Sequence, residues 1–181
     1  MNNMPSKVEN HWDLQLGSMP MDLQIEAGAY KGRFELGGLA ISNLTVKDGA
    51  ADVQINFSRP NQTSMSLLRY ETGASNVTIE GIGNASPSSL VFKCGAGNYK
   101  LDFSGALQQN LNASVDAGLG NVTLVIPAGV QAQVVVDGGL SNISTGTGWE
   151  KTGDNTYIQQ GSGPAITIMV NIGAGNLTLS R

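Results

Sequence analysis

The chain has 181 residues, of which 13% are charged and 24 are glycine, and its formal net charge is -4. Only ten lysines and arginines are spread along it, so it has no basic patch for phosphates, and we expect no nucleic-acid partner. A glycine-rich, charge-poor composition favours strands and tight turns. No apolar run reaches the roughly 20 residues that cross a bilayer, so we expect no membrane span.

The first predicted element is an N-terminal strand that caps the fold, within residues 1–22. Trp12, Leu14 and Leu16 alternate with other residues, as in a strand with one apolar face. His11 is the only histidine, and it has no second histidine or cysteine nearby. We therefore expect neither a histidine-based metal site nor a catalytic triad.

Residues 23–145 consist of repeats of one short phrase, and residues 166–181 repeat it once more. Each phrase has an apolar residue three positions before a glycine, and five of the seven phrases have two alternating apolar residues, four and six positions after it. The period is near 22 residues, which predicts an all-β fold, a β-solenoid (parallel β-helix) of about seven coils. The repeat glycines are Gly28, Gly49, Gly73, Gly95, Gly118, Gly139 and Gly173.

The glycine of each repeat is predicted to form a corner between two strands. We expect it to adopt a positive φ, which other residues adopt only at a cost of roughly 1–2 kcal/mol. Asparagine follows three residues later in five repeats, which predicts a ladder of stacked amides. The same spacing creates four N-glycosylation sequons, which we interpret as part of the repeat. The ladder residues are Asn76, Asn98, Asn121, Asn142 and Asn176.

Two residues before each glycine lies a predicted outward column. Its first five members alternate in charge, which favours the correct register between adjacent coils. Asp116 and Asp137 come from consecutive repeats, so we expect them to be neighbours, with too few ligands for calcium. We therefore expect no metal and no cofactor, and we interpret the single cysteine, Cys94, as a small packed residue. The column is Glu26, Lys47, Glu71, Lys93, Asp116, Asp137 and Asn171.

Residues 146–165 form a predicted hairpin insertion before the final coil, residues 166–181. Trp149 and Tyr157 either pack over the last coils, the interpretation that we favour, or bind a partner. Because the final coil ends the chain, we predict that the hairpin covers its open strand edge. Without that cover, end-to-end self-association is expected.

Two phrases near the C-terminus carry a resemblance to a known family. AGLGNVTLVIPAGVQAQVVVDGGLSNI and ITIMVNIGAGNLTLSR resemble the C-terminal domain of LiaF-like envelope-stress proteins, the toast-rack domain (DUF2154), which is related to the DUF4097 adhesin-like proteins. The segment from Trp12 to about Asn61 resembles the N-terminal toast-rack module. This resemblance implies a single-stranded right-handed β-solenoid at the bacterial cell envelope or otherwise outside the cytoplasm.

These observations lead us to expect a non-enzymatic binding or scaffolding module of the cell envelope. Its partner would be a protein or another envelope component, and the family resemblance adds envelope-stress sensing as a role. The alternative is a carbohydrate-active β-helix enzyme or an adhesin that binds surface glycans. Such an enzyme needs a carboxylate pair that converges on one groove, whereas most acids here fall on the alternating column.

Overall fold

The computed structural model describes residues 14 and 16–181. These residues form nine strands and one four-residue helix, α1 (Ile82–Ala85), and all nine strands belong to one sheet. The strands are β1 (Met21–Glu35), β2 (Ile41–Asn56), β3 (Met65–Glu80), β4 (Pro87–Asp102), β5 (Leu111–Val125), β6 (Gly129–Thr145), β7 (Glu150–Lys151), β8 (Thr156–Gln159) and β9 (Gly161–Ser180).

Seven long parallel strands stack in register, one for each repeat. Each strand continues through its repeat glycine, and the set of inward residues changes parity there. In β3, Leu68 and Tyr70 are buried before Gly73, and Val77 and Ile79 are buried after it. Side chains alternate between the two faces of a strand. The shift of the buried positions from even to odd numbers therefore means that each strand turns a corner at its glycine and that both arms direct their apolar side chains toward the interior. The predicted all-β solenoid of seven coils is confirmed.

The order of the coils differs from the order of the repeats in the chain. The sheet runs β1-β2-β3-β4-β5-β9-β6-β8-β7, so the last strand of the chain lies between β5 and β6. Our prediction that the C-terminal coil ends the stack is therefore wrong. The repeat of β9 has fully buried apolar side chains on both arms, as a central strand requires. These residues are Ile168, Val170, Ile172, Leu177 and Leu179.

The hairpin carries the chain past β6 and back to this inner position. Strand β8 pairs antiparallel with both β7 and the Ala132–Val135 segment of β6. The chain then reverses direction, and β9 runs parallel to β6. The end of the stack that the hairpin covers is therefore β6.

The repeat glycines are required for a reason other than the one we predicted. None of the seven has a positive φ. A Cβ on Gly95 would lie 2.3 Å from the carbonyl oxygen of Gly73, and one on Gly118 would lie 2.9 Å from that of Gly95. The corner glycines therefore stack so closely that a side chain would meet the backbone of the preceding coil.

Positive φ angles occur instead in a second glycine column, two residues further on. Gly97, Gly120 and Gly175 have φ angles of 155°, 140° and 148° and are paired in register. A Cβ on Gly120 would lie 2.0 Å from the carbonyl oxygen of Gly97. This column combines backbone conformation and close approach, and both favour glycine.

The predicted opening strand is not seen among the described residues. Leu14 and Leu16 are 72% and 40% exposed and lie outside any strand, and β1 begins at Met21. Their exposure shows that these two side chains do not cover the apolar interior. Trp12 and His11 lie outside the described residues.

Candidate functional site

The charged column lies on the outer surface of the first arm, and the coil order changes its sequence of charges. In space it reads Glu26, Lys47, Glu71, Lys93, Asp116, Asn171 and Asp137. The predicted alternation of the first five members is thus confirmed by register. Opposite charges on adjacent strands stabilise this register modestly.

Asp116 and Asp137 are not neighbours, contrary to our prediction. Asn171 of β9 pairs with Asp116 on one side and with Asp137 on the other. The two carboxylates are therefore two strand spacings apart, about 9–10 Å. A neutral side chain between two acids avoids the repulsion of like charges on adjacent strands.

We expect EDTA to leave the melting temperature of the protein unchanged. Within residues 14 and 16–181, no three histidine, cysteine, aspartate or glutamate residues come together as a metal-binding group, and calcium needs six to eight oxygen ligands. Thermal unfolding with and without EDTA checks this. A fall of several degrees that calcium reverses would contradict it.

A shallow, open groove of about 700 Å³ runs along this column beside the glycine corner. We call it the corner groove. The glycine backbone in its wall has no side chains that would keep a ligand at a distance. It is lined by Glu71, Thr72, Lys93, Cys94, Asp116, Ala117, Gly118, Asn171 and Gly173.

Glu71 is the most strongly paired charge of the groove. Its Oε1 lies 2.7 Å from Arg69 Nη1, and its Oε2 lies 3.8 Å from Lys47 Nζ. The hydrogen bond from Arg69, together with the nearby Lys47, lowers the pKa of the Glu71 carboxyl. Glu71 is therefore held as an ionised acceptor.

Cys94 contributes a thiol to the groove wall, and that thiol is mostly buried. Its Sγ donates a weak hydrogen bond to the carbonyl oxygen of Asp116, at 3.5 Å. Burial raises the pKa of Cys94 to about 12. The thiol stays protonated at neutral pH, which suits a packed residue and not a nucleophile.

Asp48 organises a polar cluster that sequence reasoning missed. Its Oδ2 accepts hydrogen bonds from the hydroxyls of Tyr70, at 2.5 Å, and Tyr30, at 3.4 Å. Its Oδ1 accepts bonds from Thr72 and, at 3.3 Å, from Ser75. Burial, with the nearby Asp48 carboxylate, raises the pKa of Tyr30 to about 12 and also raises the pKa of Tyr70.

Both phenols of the Asp48 cluster therefore stay protonated and donate to the carboxylate. The cluster links β1, β2 and β3, so we assign it a structural role. A signal for it was present in the sequence, because Asp48 is the one acid in an inward column whose other members are small or uncharged. Those members are Ala27, Thr72, Cys94, Ala117, Ile172 and Gly138.

The second arm carries the predicted amide ladder on its outer surface. The side-chain amide of Asn98 donates to Asn76 at 2.9 Å, that of Asn121 to Asn98 at 2.8 Å, and that of Asn176 to Asn121 at 2.6 Å. The ladder is therefore confirmed for these four residues. It follows the spatial order of the coils, because Asn176 bonds directly to Asn121.

Trp149 and Tyr157, the predicted hairpin residues, are 8% and 7% exposed. Both rings belong to the main apolar core. Gln159 of β8 holds the hairpin in place, because its Nε2 donates to the carbonyl oxygens of Pro127 and Val130 and its Oε1 accepts from Arg181. These contacts support the packing interpretation that we favoured, and partner binding through the two rings stays a prediction.

Comparisons with known proteins show what this chain is similar to. The chain resembles the crystal structure of a "putative cell adhesion protein" from Clostridium sporogenes, with a TM-score of 0.57 and 12% identity over 89% of this chain and 91% of that one. At this identity the likeness concerns the fold alone. No curated protein matches the chain. Within residues 14 and 16–181, no helix is both long and apolar enough to cross a bilayer.

The model of one protein family, described as the N-terminal domain of toast_rack, DUF2154, matches residues 1–80. This range includes β1, β2 and β3, and with them the first three corner glycines. The resemblance of this chain to toast-rack proteins is thereby confirmed over residues 1–80.

Proposed function

We propose that the protein is a non-enzymatic binding or scaffolding module of the bacterial cell envelope, and that the corner groove is its binding surface. The observation that carries the proposal is the groove itself, in which charged side chains recur on successive strands beside bare glycine backbone. A solenoid holds these groups at fixed spacings, so an extended ligand would meet the same chemistry several times. The resemblance to toast-rack proteins over residues 1–80 supports a place at the envelope, and we propose envelope-stress sensing as one role of such a module.

Lys93 is the groove residue best suited to contact a ligand. It is exposed, it lies between Glu71 and Asp116 in register, and no carboxylate of the described residues lies within ion-pair distance of its ammonium group. Its positive charge would attract carboxylate or phosphate groups, which are common on envelope polymers. Glu71 and Asp116 would accept hydrogen bonds from hydroxyl or amide groups of the same ligand.

The alternative of a carbohydrate-active enzyme has less support. Glycoside hydrolysis needs one carboxylic acid with a raised pKa and a second, ionised carboxylate. The two acids of the groove are Glu71 and Asp116, and the pKa of Glu71 is lowered. Lys93 also lies between them. An adhesin that binds glycans in this groove fits the same geometry. The experiment below distinguishes a cell-wall glycan from a membrane lipid as the ligand.

We expect the protein to co-sediment with isolated bacterial envelopes and Lys93→Glu to weaken this binding at least about fivefold, since about 1 kcal/mol changes an affinity by that factor. Lys100→Glu is the matched control, because Lys100 is on the second arm of the same strand, away from the groove. Binding that survives removal of lipids by detergent would indicate a cell-wall glycan. Equal loss in both variants, or no binding to envelopes, would contradict the proposal.

A further inference from the structure

The two ends of the solenoid differ in how their strand edges are covered. Strand β8 pairs with Ala132–Val135 of β6 at one end. At the other end, β1 is the outermost strand, and no strand of residues 14 and 16–181 pairs with its outer edge. Unpaired backbone groups on such an edge are a template for another strand.

The apolar interior is also incompletely covered at the β1 end. Leu23, Ile25 and Phe34 face inward but are only half-buried. Their register partners in β2, which are Leu44, Val46 and Ile55, are fully buried. One more strand laid on β1 would therefore bury apolar surface and satisfy backbone hydrogen bonds at once.

Strand β1 is complementary to itself. Its alternation of half-buried and exposed residues reads the same in both directions about the peptide bond between Gly28 and Ala29. A two-fold axis through this corner would map each arm of one β1 onto the other arm of a second β1, with antiparallel pairing. In an antiparallel pair, opposite residues point to the same side of the sheet, so inward residues would meet inward residues.

The charges on β1 agree with this register. Glu26 of one copy would lie opposite Lys31 of the other, Gln24 opposite Arg33, and on the inner side Leu23 opposite Phe34. Each of these pairs occurs twice because of the two-fold symmetry. At the rim, Asp22 would lie opposite Glu35, which is unfavourable, although Asn43 and Ser58 already donate hydrogen bonds to these two carboxylates.

We propose that two copies of this chain associate through β1, edge to edge and antiparallel, and form a head-to-head dimer with one continuous sheet. The corner glycine of β1 marks the contact. In later coils, a Cβ at this position would meet the glycine carbonyl of the preceding coil, whereas a Cβ on Gly28 has no atom within 4 Å. The Gly28 position therefore points off the open edge, toward the second copy.

Light scattering coupled to size-exclusion chromatography tests the dimer on the full chain. We expect a species of twice the 18.8 kDa protomer mass that dissociates on dilution. Gly28→Val should weaken the dimer at least about tenfold, because its side chain would occupy the space of the second strand, and should leave the melting temperature of the diluted monomer unchanged. Thr123→Val, an outward change in the middle of the stack, should leave both properties unchanged.

A charge swap tests the register. Glu26→Lys or Lys31→Glu alone should weaken the dimer by about tenfold, because each places two like-charge pairs in the interface. The double variant should dimerise within about twofold of the wild type. Inside one chain, the double variant adds like-charge contacts with Lys47 and Asp52, the register partners of these two residues. A restored dimer can therefore come only from pairing between copies.

Three results would overturn the proposal. The first is a monomer at every concentration up to about a millimolar. The second is a dimer that Gly28→Val does not weaken, which would place the contact elsewhere, such as the hairpin end. The third is a double variant that is no better than the single ones, which would exclude the antiparallel register through the corner.

Discussion

Gly120→Ala should destabilise the protein by about 3–5 kcal/mol, the range of the most damaging single substitutions. The added Cβ would lie 2.0 Å from the carbonyl oxygen of Gly97, and the φ of Gly120 is 140°, a conformation that residues with a side chain rarely adopt. Gly97 is paired in register with Ser75 on one side and with Gly120 on the other, so its carbonyl cannot move away without breaking strand pairing. Urea unfolding monitored by circular dichroism measures the loss.

Two further glycine variants show whether the close approach of the added Cβ to the preceding coil causes the loss of stability. Gly118→Ala should cost less than Gly120→Ala, because its Cβ would lie 2.9 Å from the carbonyl oxygen of Gly95 and its φ is not positive. Gly28 occupies the same repeat position at the open edge, where a Cβ would meet nothing within 4 Å. Gly28→Ala should therefore cost less than about 0.5 kcal/mol, measured at a concentration at which the protein is monomeric. Equal effects of the three substitutions would contradict this explanation of the corner.

Val170→Asp should prevent folding or cost about 4 kcal/mol or more. Val170 is fully buried in β9, where its register partners are Val115 on one side and Val136 on the other. A carboxylate at this position would lie in the apolar core without a partner, which is among the most costly changes in a protein.

Ile25→Asp is the matched control for this position, because Ile25 occupies the same column in β1 and is only half-buried. Its expected cost is about 1–2 kcal/mol, measured at a concentration at which the protein is monomeric. If β9 were the outermost coil, the two substitutions would have similar effects. Similar unfolding midpoints would therefore contradict the inserted position of the C-terminal strand.

Local repetition was enough to predict the coils themselves. The alternation around each glycine predicted two inward-facing arms, as the burial of Leu68, Tyr70, Val77 and Ile79 in β3 confirms. The amide ladder and the alternating charges from Glu26 to Asp116 followed from the same spacing, because adjacent coils place equivalent residues side by side. These features depend only on the period of the sequence and on the pairing of adjacent coils. They could be predicted because the coils that pair here are also consecutive repeats in the chain.

The position of β9 was decided by the tertiary structure alone. All seven repeats have compatible registers, so periodicity does not distinguish a last coil at the end of the stack from one inserted between β5 and β6. The choice depends on which repeat buries its apolar residues on both sides, and Val170, Ile172 and Leu177 of β9 do so. The separation of Asp116 from Asp137 by Asn171 follows from this insertion.

The sequence by itself determined that this protein is an all-β solenoid with a glycine corner, because period and side-chain alternation are properties of the chain. The reason why glycine is needed at the corner could be read only from the structure. Gly120 has a positive φ, whereas Gly118 lies too close to the preceding coil for a side chain, and the position of a glycine in the sequence does not distinguish these two reasons. The burial of Trp149 and Tyr157 and the open edge of β1 likewise became visible only in the folded stack. Each of these properties depends on which backbone lies across from a residue, and that is set by how distant parts of the chain pack.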